Sequence, residues 1–113
     1  TLHEVLEPLG IGMIYPFCRE TVRAQNTVHS RAFAPELGVT EDPATGSVAG
    51  AMGAYWASRE NNQDIDMVIE QGYEMGRPSI INVEVLKQRD KVQKIRVGGQ
   101  TQPVFTGRMN LAH

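Results

Sequence analysis

The chain has 113 residues, enough for one domain with a modest core. Charged residues make up 21% and hydrophobic ones 41%, and a net charge of −2 with no Lys/Arg cluster argues against nucleic acid or an anionic membrane as main partner. No uncharged run approaches the roughly 18 residues of a spanning helix, nothing reads as a signal peptide, and Cys18 has no second cysteine to bridge, so a reducing, cytoplasmic setting is expected.

Residues 1–10 predict a short helical turn ended by Pro8 and Gly10. The apolar run 11–17 predicts a strand closed near Pro16. Cys18, just beyond it, shows no local sign of thiolate activation and is expected to be buried or neutral. Residues 26–34 alternate Val28 and Ser30 with Thr27, His29 and Arg31, and predict a second strand ending before Pro35. His29 sits mid-strand, is far from His3, forms no metal-ligand spacing with it and reads as structural.

From Ser47 the pattern changes. No charge occurs between Asp42 and Arg59, and Val48, Ala51, Met52, Tyr55 and Trp56 recur at helical spacing. The remaining positions are Ala49, Gly50, Gly53, Ala54 and Ala57. A helix small or apolar on every side is expected to be buried. Gly50 and Gly53 each cost roughly 1 kcal/mol against alanine, which makes sense if strands approach the helix closely. After a break at 59–64, residues 64–72, 79–87, 91–99 and 102–111 read as strands, with turn chemistry at 73–78, 88–90 and 98–102. Gly98 and Gly99 read as a hairpin turn. About six strands and one central helix predict an α+β domain over 1–113. Its mostly antiparallel sheet is expected to curl, barrel-like, around that helix.

The polar string before the helix is the candidate site. Ser47 is the expected N-cap, Gly46 lets a ligand approach the backbone, and Thr45 adds a hydroxyl. Free amides and the helix dipole favour an anion such as a carboxylate there, although Thr-Gly-Ser before a helix is often only a cap. Glu41 and Asp42 lie just upstream. Neighbours in an extended segment point opposite ways, so at most one faces the site, and Asp42 is the choice as a proton carrier or hydrogen-bond partner. The other reading of Asp42 is an Asx-turn or solvated charge before Pro43. No P-loop, dinucleotide fingerprint or zinc pattern is present, and no metal or cofactor is expected.

The stretch RAFAPELGVTEDPATGSVAGAMGAYW, from Arg31, resembles the C-terminal lobe of the phenazine-biosynthesis-like (PhzF-type) proteins. IEQGYEMGRPSIINVEV and VQKIRVGGQTQPVFTGRM are similar to later blocks of that lobe, so the likeness runs in order over about residues 10–111. The resemblance implies the diaminopimelate-epimerase-like fold: two similar lobes, each a sheet around a central helix, with the helix N-termini facing each other across the substrate. It implies that Gly46 and Ser47 bind substrate and that Asp42 assists catalysis, and Thr45 is expected among the substrate-binding residues. Thr45 stands where related racemases carry a catalytic cysteine. Threonine is a poor acid or base, which fits a one-base isomerase better than a two-base racemase.

The resemblance thus predicts the substrate-carboxylate-binding lobe of a cofactor-independent isomerase or epimerase. That enzyme would move a proton on a small carboxylic acid. The departure is large: nothing here resembles the N-terminal lobe, which carries the general-base glutamate and a histidine. The chain starts at Thr1, and a processed or cut chain is expected. A lone lobe would expose apolar surface, so a homodimer or pairing with an N-terminal lobe is expected. Two alternatives stand beside this reading: a non-catalytic module binding a small acid or a protein, and an inert fragment.

Overall fold

The computed structural model describes residues 1–61 and 63–112; Asn62 in the 59–64 break and His113 at the end of the 1–113 span lie outside the described residues. The expected first turn is present as α1 (Leu2–Leu6) followed by a 3-10 turn at Glu7–Leu9. Thr1 and Glu4 form a capping box on α1, and left-handed Gly10 ends the turn.

The strand expected over 11–17 shrinks to a single bridge between Ile14 and Phe33 and to β1 (Phe17–Cys18), which starts only after Pro16. Proline has no N–H, so Pro16 contributes only its carbonyl, which accepts from Arg31 N at 3.0 Å. Cys18 is exposed rather than buried, and its Sγ donates to Glu20 O at 3.2 Å. The second strand is also shorter than expected, β2 (Val28–Ser30).

The later elements follow their periodicity closely. They are α2 (Gly46–Ala57), β3 (Ile65–Gln71), β4 (Ser79–Gln88) and β5 (Lys91–Gly98). The five strands form one sheet in the order β1-β2-β3-β4-β5. All pairs are antiparallel except β2–β3, which run parallel with Val28 opposite Ile69 and Ser30 opposite Gln71. A parallel pair needs a crossover, and α2 supplies it.

The core lies between α2 and one face of the sheet. Ala49, Met52 and Ala57 pack there with Ile65, Met67, Ile69, Ile81, Val83 and Val85. Gly53 is where helix and sheet come closest: a Cβ there would sit 2.5 Å from Val83 Cγ1 and 3.0 Å from Val85 Cγ2. Gly50 is looser, 3.4 Å from Val97.

The architecture differs from the expected barrel around a central helix in two respects. The sheet is open, with β1 and β5 at opposite edges. Because the sheet covers one side of α2 only, Ser47, Ala51 and Tyr55 stay exposed, Tyr55 at 45%. The sixth strand, expected at 102–111, is absent and the stretch has no regular structure, and Gly98 and Gly99 make no hairpin. Val104, Phe105, Met109 and Leu111 are each at least 75% exposed, because no strand returns to pair with them among the described residues. No described helix is long and apolar enough to cross a membrane.

Candidate functional site

The loop between β2 and α2 is tied to its own start and to the connection between β3 and β4. Asp42 N donates to Ala32 O at 2.9 Å. Pro43 lies against Gly72, whose Cβ would come 2.8 Å from Pro43 O and 2.3 Å from Arg77 O. Gly72 also holds φ +82°, so glycine is required on both counts.

The two acids part ways here. Glu41 takes both Nε and Nη2 of Arg31, at 2.8 and 3.0 Å. Asp42 turns to Thr45, whose Oγ1 donates to Asp42 Oδ2 at 2.7 Å. Thr45 is only 5% exposed, and its oxygen accepts from the Gln71 amide at 2.9 Å. Gln71 Nε2 also donates to Asp42 O at 2.7 Å, while Tyr15 OH donates to Gln71 Oε1 at 2.9 Å. Burial pushes the Tyr15 phenol up, its Ser30 hydrogen bond pulls it down, and the negative charge of Asp42 adds to the rise.

This geometry changes the expected capping. The N-cap is Thr45, not Ser47, and its hydroxyl makes no capping bond because Asp42 and Gln71 hold it. The helix therefore begins two residues earlier than expected, at Gly46. The first amide to find a partner is Ala49 N, which donates to Thr45 O at 3.0 Å. The amides of Gly46, Ser47 and Val48 have none among the described residues, and Ser47 is exposed. Three free donors at the positive end of a 12-residue helix make a place for an anion.

A cleft of about 560 Å³ opens beside that end. It is lined by Ala44, Gly46, Pro78, Ser79, Ile80, Ile81, Val97, Gly98, Gly99 and Gln100. Gly46 is the one sequence-selected site residue on its wall; Asp42, Thr45 and Ser47 are not among the lining residues. Sequence reading passed over Ser79 and Gln100, which it took as strand and turn. It also passed over Gln71, Tyr15 and Ser30. The available signal was parity: Gln71 continues the buried series Ile65, Met67, Ile69, and Ser30 continues Val28.

His29 and Glu70 occupy the opposite parity and take no part in the site. The buried Glu70 accepts from Val22 N, Asn26 Nδ2 and Arg23 N at 2.5, 2.6 and 3.3 Å, and bonds His29 Nδ1 at 2.7 Å.

Comparison with known proteins adds four findings. Residues 2–107 match the model of a family described as phenazine biosynthesis-like protein. An uncharacterized isomerase of Mesorhizobium japonicum is 41% identical over 97 residues, which are 84% of this chain and 32% of that protein. A trans-2,3-dihydro-3-hydroxyanthranilate isomerase of Pseudomonas chlororaphis is 38% identical over 73 residues, 62% of this chain and 26% of that one. The crystal structure of a Bacillus anthracis phenazine biosynthesis protein of the PhzF family superposes with TM-score 0.68 at 30% identity, covering 81% of this chain and 32% of that one. The chain spans about a third of the length of the curated relatives it matches.

Proposed function

The chain belongs to the phenazine biosynthesis-like protein family, and we propose on that footing that it is the C-terminal, carboxylate-binding lobe of a cofactor-independent isomerase. The reaction is proton abstraction and redelivery on a small carboxylic acid. The carrying observation is the uncapped start of α2: three unpartnered amides at the helix end beside a cleft, with Asp42 held by the hydroxyl of the N-cap residue Thr45. Removing a proton near a carboxylate builds negative charge on its oxygens. The Gly46, Ser47 and Val48 amides would stabilise that charge in place, without reorganisation. Asp42 assists the proton transfer, and Thr45 serves substrate binding by holding Asp42 and the helix start together. The general base comes from a second lobe outside these 113 residues. That lobe, or a second copy of this chain, covers the outer face of α2 around Tyr55 and completes the enclosure of the helix. A cytoplasmic setting goes with this reading.

Benzoate, a plain ring carboxylate, is the probe for the anion site. Its titration should move the Gly46, Ser47 and Val48 amide resonances first. Gly46→Pro removes one donor at a first helical position where proline is tolerated, and should weaken benzoate about fivefold, roughly 1 kcal/mol. Affinity unchanged by that substitution would sink the anion site. In the complete two-lobe enzyme, Asp42→Asn should lower turnover by about 10²-fold or more. Turnover left intact would remove Asp42 from its role.

A second reading, a non-catalytic binding module, draws on one observation: none of the residues lining the cleft carries a titratable side chain. Isomerase turnover by a homogeneous preparation of this chain alone would eliminate it.

A further inference from the structure

We propose that Gln71 is a positioning residue of this site, its buried amide fixing the one direction in which the Thr45 hydroxyl can point and thereby holding Asp42 beside the start of α2. The proposal rests on the reading of Asp42 given above.

The argument is one of donor and acceptor counting. Gln71 is fully buried at the end of β3, and its amide has two N–H donors and one oxygen. Asp42 O, 2.7 Å away, is a carbonyl and can only accept, so the nitrogen of Gln71 must face it. The second N–H goes to Thr45 Oγ1 at 2.9 Å. The Thr45 oxygen is thus an acceptor, and its single hydrogen is left for Asp42 Oδ2 at 2.7 Å. At the other end, Gln71 Oε1 accepts from Tyr15 OH, which accepts from Ser30 Oγ, each at 2.9 Å. Every bond runs the same way, from Ser30 through Tyr15, Gln71 and Thr45 to Asp42. An amide in the middle is a poor proton conductor, so the chain orients and does not relay.

Gln71 also cannot slide. Ser79 pairs with it across β4, and Gly72 beyond it has no room for a side chain against Arg77 O and Pro43 O. Asp42 keeps Oδ1 without a protein partner among the described residues, so one oxygen is anchored and one is left to meet substrate.

Gln71→Met keeps the length of the side chain and removes all three bonds. Three readouts decide the proposal: the Thr45 hydroxyl proton by NMR, benzoate affinity, and turnover by the complete enzyme with trans-2,3-dihydro-3-hydroxyanthranilate as probe substrate. With Gln71 in place, the Thr45 hydroxyl proton should exchange slowly and show coupling to Asp42. In Gln71→Met it should exchange fast, with benzoate affinity within about twofold of the parent, and kcat should fall about tenfold at constant KM. Thr45→Val should lower kcat by about the same factor, and the double variant should lower it no more than either alone, because both act through one hydroxyl. A protected hydroxyl in Gln71→Met, or losses that multiply in the double variant, would overturn the proposal. Should Gln71→Met fail to fold, Tyr15→Phe removes the bond that holds the far end of the amide. It should speed Thr45 hydroxyl exchange, and unchanged exchange would count against the proposal. If Asp42→Asn leaves turnover intact, the reading of Asp42 falls, and the hydroxyl readout alone decides for or against Gln71. If Asp42→Asn abolishes turnover while Gln71→Met changes neither hydroxyl nor kcat, the positioning role is overturned and Asp42 keeps its place.

Discussion

His29 is held between two carboxylates, with Nδ1 2.7 Å from Glu70 and Nε2 2.6 Å from Glu74. Its side chain is 15% exposed. Burial lowers its pKa, but the hydrogen bonds to Glu70 and Glu74 outweigh that and the net shift is upward from 6.5. Glu70 and Glu74 resist burial in the same way, and their bonds carry both below 4.5. Arg31 adds positive charge near Glu74. A raised histidine stabilises the fold fully below its unfolded value near 6.5, and that stabilisation goes as pH rises through the higher folded value. Depressed carboxylates contribute above 4.5, and their share goes as pH falls through their folded values. The two limits enclose a window between about pH 4.5 and 6.5. Against His29→Gln, the native protein should be more stable by roughly 2 kcal/mol inside that window, and the gap should narrow on either side. Chemical denaturation at several pH values measures it, and a gap independent of pH would refute the assignment. In the sequence, His29 reads as structural, but its partners were out of reach: Glu70 and Glu74 lie 41 and 45 residues away, and nothing local marks Glu70 as a buried acid.

At the scale of elements, α2 and the β3–β5 meander were legible to within a residue or two, because periods of 3.6 and 2 are local properties. Gly53 was legible as well. Its close approach to Val83 and Val85 can be tested by Gly53→Ala, where two effects compete. Alanine favours the helix by about 1 kcal/mol, while a methyl 2.5 Å from Val83 Cγ1 forces a core rearrangement costing about 1–3 kcal/mol. Val83 is 2% exposed and has little room to yield, so the clash should win, with a net loss of up to about 2 kcal/mol in denaturant melts. A more stable variant would show that the sheet can retreat from the helix. The edges were not legible in the same way. Val104, Phe105, Met109 and Leu111 have strand chemistry, but a strand also needs a neighbour, and composition does not say whether one exists. The parallel β2–β3 pair was missed for a similar reason: pairing direction is set by what crosses between the strands.

For the molecule as a whole, the candidate site depends on where those two strands meet. β3, β4 and β5 are joined by short turns, the second of them at Arg89 and Asp90, both left-handed. β2 joins this meander only across a long excursion; His29 and Glu70, paired in the ladder, are 41 residues apart. Asp42, Thr45 and the first turn of α2 all lie inside that excursion. Loop-closure entropy grows slowly, about 0.6 kcal/mol per doubling of length, so the long loop costs little equilibrium stability. Its effect falls on time, because non-local pairings form after local ones. During refolding, pulse-labelled hydrogen exchange should find the β3–β5 amides protected before those of Val28, His29 and Ser30; simultaneous protection would contradict this order. A chain halted between the two events would hold a finished three-stranded sheet and have no site.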